Sequence, residues 1–153
     1  VNFEVLLLAY NPFSPIKLPI EFGMLKSLKY LRMTDCNLVG EIPESLANLS
    51  SLEQLDLVQN NLAGEIPSRL FLLKNLTSLY LYKNKLSGGF PTSIGALNLK
   101  EIDVSNNNLT GIIPEGIATL PKLAALNLLS NQFHGVLPPT IGKIPTLKTL
   151  KIW

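Results

Sequence analysis

The sequence predicts a solenoid of the α/β type: a stack of similar turns, each contributing one short strand to a shared parallel sheet. Two observations support this fold class. First, the phrase "CNLVGEIP" recurs at intervals of 23–25 residues, with a longer variant at the start, in copies beginning at Asn11, Cys36, Asn60, Asn84, Asn107 and Asn131. Second, an L-x-x-L-x-L pattern precedes each copy, and a partial seventh one contains Leu147, Leu150 and Ile152. A fixed period of this kind indicates a one-dimensional array in which each turn contacts only its neighbours.

The strand of each turn is predicted from period-two alternation. In "LEQLDLVQN", Leu55 and Leu57 point to one side, whereas Asp56 and Val58 point to the other. The leucines therefore line a continuous core, and the strands form a parallel sheet on the concave face.

The segment after each strand is predicted to turn sharply. Its Asn is expected to cap backbone groups, and Cys36, which replaces this Asn in the second turn, is expected to be a buried structural thiol. A Gly follows where the backbone must turn, and then a Pro, so this segment should form only a short, edge-like strand. The remainder, such as Ser68 to Asn75, suits a short 3₁₀ or α turn on the convex side.

The full consensus, L-x-x-L-x-x-L-x-L-x-x-N-x-L-x-G-x-I-P, resembles the plant-specific class of leucine-rich repeats over about six full turns plus a partial one. The opening, "LLLAYNPFSPIKLP…CNLVGEIPESL", is also similar to the early repeats of the HAESA family of plant receptor-like kinases. The first turn lacks the Gly and is one residue too long, and the turn containing Ala96 is one residue short, so both should bulge or pinch on the convex side. Because neither end carries a polar or cysteine-paired cap, residues 1–153 are expected to be an uncapped fragment of a longer ectodomain.

Composition and motifs argue against several functions. The net charge is +2, from 13 basic and 11 acidic residues dispersed along the chain, which does not favour nucleic-acid binding or membrane contact by this segment. No apolar run is long enough to span a membrane. No metal or cofactor motif occurs.

Asp56 and Asp103 stand two turns apart, at a separation near the ~6.5–9.5 Å of inverting glycosidases, but an open sheet face does not sequester a substrate. His134 is expected to be a surface residue at a turn tip. The sequence therefore predicts no enzymatic activity for this chain and no catalytic residue.

Three N-x-S/T sequons begin at Asn48, Asn75 and Asn108 and indicate a secreted glycoprotein. Asn48 and Asn75 are expected to be glycosylated, whereas Asn108 lies in a tight turn and is expected to be less accessible. A repeat rich in N-L-S/T also creates sequons without function, so that alternative stays open.

The outward-facing residues of the strands mix aromatic, aliphatic and charged side chains in one strip, a composition typical of a recognition surface. We call this set the concave strip. The alternative is a variable, solvated face. The predicted ligand-binding residues are Arg32, Asp56, Val58, Tyr80, Tyr82, Asp103, Ser105, Asn127 and Leu129.

The resemblance to the HAESA family implies an extracellular segment of a plant receptor kinase at the plasma membrane. It further implies that the inner face binds a small secreted peptide and that a co-receptor of the somatic embryogenesis receptor kinase type then joins. A transmembrane helix and a cytoplasmic Ser/Thr kinase would follow outside this segment. Two alternatives share the repeat consensus: a soluble inhibitor of a pathogen cell-wall enzyme, similar to polygalacturonase-inhibiting proteins, and a kinase-less receptor-like protein that recognises a microbial pattern.

Overall fold

The computed structural model describes residues 2–152 and contains a single stack of turns. The expected extension of the last strand to Trp153 lies outside the described residues. In chain order, the strands are β1 (Val5–Leu7), β2 (Tyr30–Arg32), β3 (Val39–Gly40), β4 (Gln54–Asp56), β5 (Asn61–Glu65), β6 (Ser78–Tyr80), β7 (Lys85–Ser87), β8 (Glu101–Asp103), β9 (Thr110–Gly111), β10 (Ala125–Asn127), β11 (Gln132–Phe133) and β12 (Thr149–Lys151).

One strand from each turn joins a seven-stranded parallel sheet in the order β1-β2-β4-β6-β8-β10-β12. The register places the central apolar residue of each strand beside its equivalent in the next, so that Leu31, Leu55 and Leu79 form one column. These three side chains are fully buried. The predicted solenoid, with parallel strands and leucines facing inward, is confirmed.

A second parallel sheet follows the first along one side of the stack. It consists of β3-β5-β7 and the pair β9-β11, and a bridge between Gly89 and Thr110 connects the two parts. The strands are short, as predicted, but they are not edge-like, because β5 pairs with a neighbour on both sides. The physical reason is that Pro67 comes after β5 ends, so its missing N–H removes nothing from the ladder.

The convex side carries short 3₁₀ turns at Ile20–Met24, Glu44–Asn48, Ser68–Leu72, Glu115–Thr119 and Pro139–Lys143. The turn around Ala96, which is one residue short, forms no such helix. There the N–H groups of Gly95 and Ala96 both donate to the carbonyl of Phe71, each at 2.8 Å. The predicted pinch on the convex side is therefore present, and the Phe71 and Phe90 rings pack beneath it with centroids 5.0 Å apart.

The repeated Asn connects adjacent turns. The Asn60 amide nitrogen donates to the carbonyl of Leu57 in its own turn (3.0 Å) and to that of Met33 in the preceding turn (2.8 Å). Its Oδ1 accepts the N–H groups of Cys36 (3.0 Å) and Leu38 (2.9 Å). Capping by this Asn is confirmed, and it extends to the neighbouring turn. Asn84, Asn107 and Asn131 donate to the preceding turn in the same way.

Cys36 is fully buried, and its Sγ lies 2.9 Å from the carbonyl oxygen of Leu8. The expectation of a buried structural thiol is confirmed. Within residues 2–152, no helix is long and apolar enough to cross a membrane.

Candidate ligand-binding face

The register of the sheet lines up the outward residues of successive strands. Arg32 pairs with Asp56, Asp56 with Tyr80, Tyr80 with Asp103, and Asp103 with Asn127. Neighbouring strands lie about 4.8 Å apart, so side chains of adjacent turns contact one another directly. The structure thus aligns these residues of the concave strip, and contacts among them define what a ligand would meet.

Asp56 is occupied by its neighbours. Its Oδ2 lies 3.2 Å from Nε of Arg32, and its Oδ1 accepts the hydroxyl of Thr34 at 2.8 Å and the N–H of Val58 at 3.2 Å. Only 7% of the residue is exposed. Its charge is therefore balanced inside the strip by Arg32 and is poorly accessible to a ligand.

Asp103 has a different environment. Its Oδ1 accepts the hydroxyl of Ser105 at 2.6 Å and the N–H of Ser105 at 3.0 Å, and its Oδ2 accepts the Asn127 amide at 2.8 Å. These donors are all neutral, and the residue is half-buried. Asp103 therefore keeps an unbalanced negative charge on the concave face.

A shared motif links these positions. Asp56, Asp103 and Asn127 each use a side-chain oxygen to accept the backbone N–H two residues later, at the end of the strand. Asx side chains commonly make this local bond. Sequence reasoning missed this role, although an Asp or Asn at the same place in three turns was a usable signal.

Burial divides the predicted set into two groups. Asp56, Val58 and Ser105 are buried, so these three predicted ligand-binding residues are poorly accessible to a ligand. A side chain that caps a strand or packs between neighbours loses its contact with solvent. The members that remain partly exposed are Arg32, Tyr80, Tyr82, Asp103, Asn127 and Leu129.

The two tyrosines are held among carboxylates. The hydroxyl of Tyr80 donates to the Glu101 carboxylate. Burial, followed by this hydrogen bond, raises the pKa of Tyr80 above its usual value. Burial also raises the pKa of Tyr82, and the charges of Asp56 and Asp103 raise it further. Both phenols therefore stay protonated at physiological pH, and the O–H of Tyr80 is already bonded to Glu101.

Two further aromatic residues border the strip and were missed at the sequence level. The guanidinium of Arg32 lies over the ring of Tyr10, 5.8 Å from its centroid. The hydroxyl of Tyr30 donates to Glu53 of the next turn at 2.7 Å. Their positions in the sequence were a usable signal for the border of the strip. Tyr30 begins β2, and Tyr10 follows the end of β1.

The two strip carboxylates and His134 lie in different settings. Asp56 and Asp103 both cap strand ends, and His134 is exposed, as predicted. No group of three or more His, Cys, Asp or Glu side chains in the described part of the chain could hold a metal ion.

The three sequon asparagines are all exposed, including Asn108, which was expected to be less accessible. The Asn75 amide nitrogen donates to the carbonyl of Ser50 at 2.8 Å. A glycan on that nitrogen would compete with this bond. Glycosylation at all three positions stays a prediction.

Comparison with sequence families places repeats along most of the chain. Two profiles described as leucine-rich repeat match, one at residues 74–133 and the other at residues 27–49 and 51–73.

Solved plant structures match the fold. The ectodomain of the Arabidopsis receptor kinase HAESA, in complex with the peptide hormone IDA and the co-receptor SERK1, superposes with a TM-score of 0.94 at 44% identity. That match covers 98% of this chain and 25% of the HAESA chain. The ectodomain of the Arabidopsis receptor kinase SOBIR1 superposes with a TM-score of 0.72 at 30% identity, covering 84% of this chain and 68% of that one.

A curated relative, receptor-like protein 52 of Arabidopsis thaliana, is 56% identical over 32 residues. The matched segment is 21% of this chain and 4% of the relative. This chain therefore spans only a small part of the curated relative and a quarter of HAESA.

Proposed function

Because this chain belongs to the leucine-rich-repeat family, we propose that it is the ligand-recognition segment of a plant cell-surface receptor and binds a small secreted peptide on its concave strip. The observation that carries the proposal is the superposition of 98% of the chain on HAESA, solved in complex with a peptide hormone. In this proposal, residues 1–153 are one segment of a longer ectodomain outside the plasma membrane, held there by a single membrane-spanning segment elsewhere in the protein.

The accessible part of the strip supports peptide binding. Tyr80 and Tyr82 offer large contact areas with few rotatable bonds, so that ordering them on binding costs little. Asp103 supplies a negative charge that no basic group in its hydrogen-bonded set balances. An extended peptide crossing the strands would meet a new turn about every 4.8 Å and could contact several of these groups at once.

We further propose that the parent protein signals with a co-receptor kinase of the somatic embryogenesis receptor kinase type and carries its own Ser/Thr kinase. The presence of SERK1 in the HAESA complex supports this partner class. The proposal of a kinase in the parent protein is supported by HAESA and SOBIR1, which are both receptor kinases.

A kinase-less receptor-like protein is the second candidate, because receptor-like protein 52 shares 56% identity over its matched segment. A complete reading frame separates the two candidates. Kinase motifs after a membrane-spanning segment would support the first, and a short cytoplasmic tail would support the second.

Calorimetry with a panel of synthetic secreted plant peptides that includes IDA tests the binding proposal. We expect Tyr80→Ala or Asp103→Ala to weaken binding by about 1–2 kcal/mol, as anchor residues do. The convex substitutions Lys74→Ala and Glu44→Ala serve as controls and should leave the affinity unchanged. If the convex variants abolish binding while Tyr80→Ala does not, the concave strip is not the site.

Intact-mass analysis of protein secreted from plant cells tests the extracellular location. We expect glycans on the sequons, with Asn48 and Asn108 more fully occupied than Asn75, whose amide nitrogen is already hydrogen-bonded. Unmodified asparagine at all three sequons would contradict passage through the secretory pathway.

A further inference from the structure

An open cavity of about 440 Å³ lies beside the first three turns, where the chain passes from the concave sheet to the second sheet. This volume falls within the range of about 300–1,000 Å³ that is typical of small-molecule sites. Two aromatic rings, a proline and four planar polar side chains line it: Tyr10, Pro12, Phe13, Asp35, Asn37, Gln59 and Asn61. None of them belongs to the concave strip.

The irregular first turn creates this cavity. Phe13 occupies the position that Leu38 and Leu62 hold in the next two turns, and both of those leucines are fully buried. Phe13 is instead 41% exposed, and its N–H donates to the carbonyl of Asn11 at 2.8 Å in a tight local turn. An aromatic ring that would otherwise belong to the core is thus presented at the surface, close to Tyr10, which is 65% exposed.

The walls of the cavity are held in place by backbone hydrogen bonds. The N–H of Tyr10 donates to Thr34 at 2.7 Å, and that of Asp35 donates to Val58 at 2.9 Å. The N–H of Asn61 donates to the carbonyl of Leu38 at 2.8 Å. The lining side chains therefore project from fixed positions, which reduces the ordering cost of binding.

The polar side chains of the cavity can form hydrogen bonds with the hydroxyl groups of a ligand. Asn37, Gln59 and Asn61 carry amides that both donate and accept hydrogen bonds, and Asp35 carries a carboxylate that accepts them. The Asn37 amide nitrogen donates to the carbonyl of Phe13 at 3.0 Å. A hydroxyl also donates and accepts, so a ligand with several adjacent hydroxyls can use all four side chains.

The charges argue against an anionic ligand. Among the described residues, no lysine or arginine lines the cavity. The nearby guanidinium of Arg32 is engaged with the Tyr10 ring and with Asp56. A carboxylate or phosphate would form no ion pair with the lining residues and would be repelled by Asp35. A neutral ring with apolar C–H faces and hydroxyl edges matches both the aromatic and the polar walls.

We propose that this cavity is a binding site for an uncharged saccharide, separate from the concave strip. Saturation-transfer NMR and calorimetry on the intact chain test this proposal. The probes are the neutral oligosaccharides cellotetraose, xylotetraose, mannotetraose and galactotetraose, with tetragalacturonate as the anionic control and tetralysine as the cationic control. We expect at least one neutral probe to bind and both charged probes to fail.

Tyr10→Ala should weaken saccharide binding at least about tenfold, because truncating an aromatic anchor removes most of its contact area. Lys83→Ala is the matched control. It lies at the same repeat position with φ 56°, close to the 62° of Tyr10, and should change nothing. Equal melting temperatures of the two variants would exclude a folding defect as the cause.

Asp35→Asn keeps the shape and hydrogen-bonding capacity of the side chain while removing its charge, so binding of the neutral probe should change by less than about threefold. The proposal is overturned if no neutral probe binds, if only tetralysine binds, or if Tyr10→Ala and Lys83→Ala have equal affinities.

Discussion

The repeated Asn makes different hydrogen bonds in the first turn and in the middle turns. In the middle, the Asn60 amide nitrogen bonds its own turn and the preceding one, and its oxygen accepts two N–H groups from that preceding turn. In the first turn, the Asn11 amide nitrogen donates only locally, to Leu8 at 2.6 Å and Ala9 at 3.2 Å. In the middle turns the repeated Asn thus joins neighbouring turns, whereas the side-chain bonds of Asn11 lie within its own bend.

Cys36 occupies the position of the repeated Asn in the second turn, between the first turn and the middle turns. By the pattern of the middle turns, an Asn at this position would accept the N–H of Phe13, but that group already donates to the carbonyl of Asn11. A thiol donates weakly to Leu8 and requires no strong donor in return. A Cys at position 36 is therefore compatible with the irregular first turn, in which the Phe13 N–H is already bonded.

Substitution of the repeated Asn should give the largest difference in free energy of unfolding between the middle turns and the first turn. Asn84→Ala removes the acceptor of the Leu62 N–H and the donor to the carbonyl of Leu57. The buried Leu62 N–H is then left unpaired, at about 1–3 kcal/mol, whereas the carbonyl of Leu57 keeps the Asn60 amide and loses one of its two bonds, at about 1 kcal/mol, so we expect a total loss of about 3 kcal/mol. Asn11→Ala, in an exposed turn, should cost less than about 1 kcal/mol.

Urea denaturation followed by circular dichroism measures both free energies of unfolding. Equal losses for Asn84→Ala and Asn11→Ala would show that joining of turns is not what the middle copy adds.

A smaller effect is expected on the concave face, where Asp56 caps a strand end and the first-turn equivalent, Leu7, cannot. Asp56→Ala leaves the Val58 N–H and the Thr34 hydroxyl without their acceptor and should cost about 2 kcal/mol. Asp103→Ala, in a half-buried position, should cost about half as much.

Thermal unfolding of the two Asp variants, with Leu7→Ala as the first-turn control, ranks the three positions. A larger loss for Leu7→Ala than for Asp56→Ala would contradict the capping role.

Cys36→Asn sharpens the comparison further, because it restores the residue found in the other turns. We expect it to lower the free energy of unfolding by about 1 kcal/mol, since the Phe13 N–H, which the new side-chain oxygen would accept by the pattern of the middle turns, already donates to Asn11. Cys36→Ser, which can still donate to Leu8, is the control and should be better tolerated. An increase in stability for Cys36→Asn would mean that the first turn adapts to the regular pattern.

The smallest effect concerns pH. Burial and the bond to Glu101 raise the pKa of Tyr80 in the folded state, so the fold favours the protonated phenol. Below the ordinary tyrosine pKa of about 10, both states are protonated and this contribution is complete. As the pH rises through the folded pKa, the contribution is lost, because the unfolded chain releases the proton first.

Tyr80→Phe should therefore make the stability less sensitive to pH above about 10. Stability curves of the wild type and the variant across this range, with Tyr10→Phe as a first-turn control, measure the difference. Identical slopes for wild type and Tyr80→Phe would contradict the pKa shift.

The sequence by itself determined the solenoid, the parallel concave sheet and the column that contains Arg32, Asp56 and Tyr80. A strict period leaves one register for the strands, and alternation along each strand decides which side chains face outward. The same reasoning predicted the buried Cys36 and the pinch near Ala96, because both are departures from a repeat whose regular form is known at every position.

Only the tertiary structure decided how these residues are used. The burial of Asp56 depends on Arg32 and Thr34 in the neighbouring turn, and the exposure of Phe13 depends on a hydrogen bond within an irregular loop. Both are contacts between side chains and backbone whose geometry the period does not specify. A repeat determines which positions become neighbours, whereas the distances and angles between those neighbours determine which groups are bonded and which remain free for a ligand.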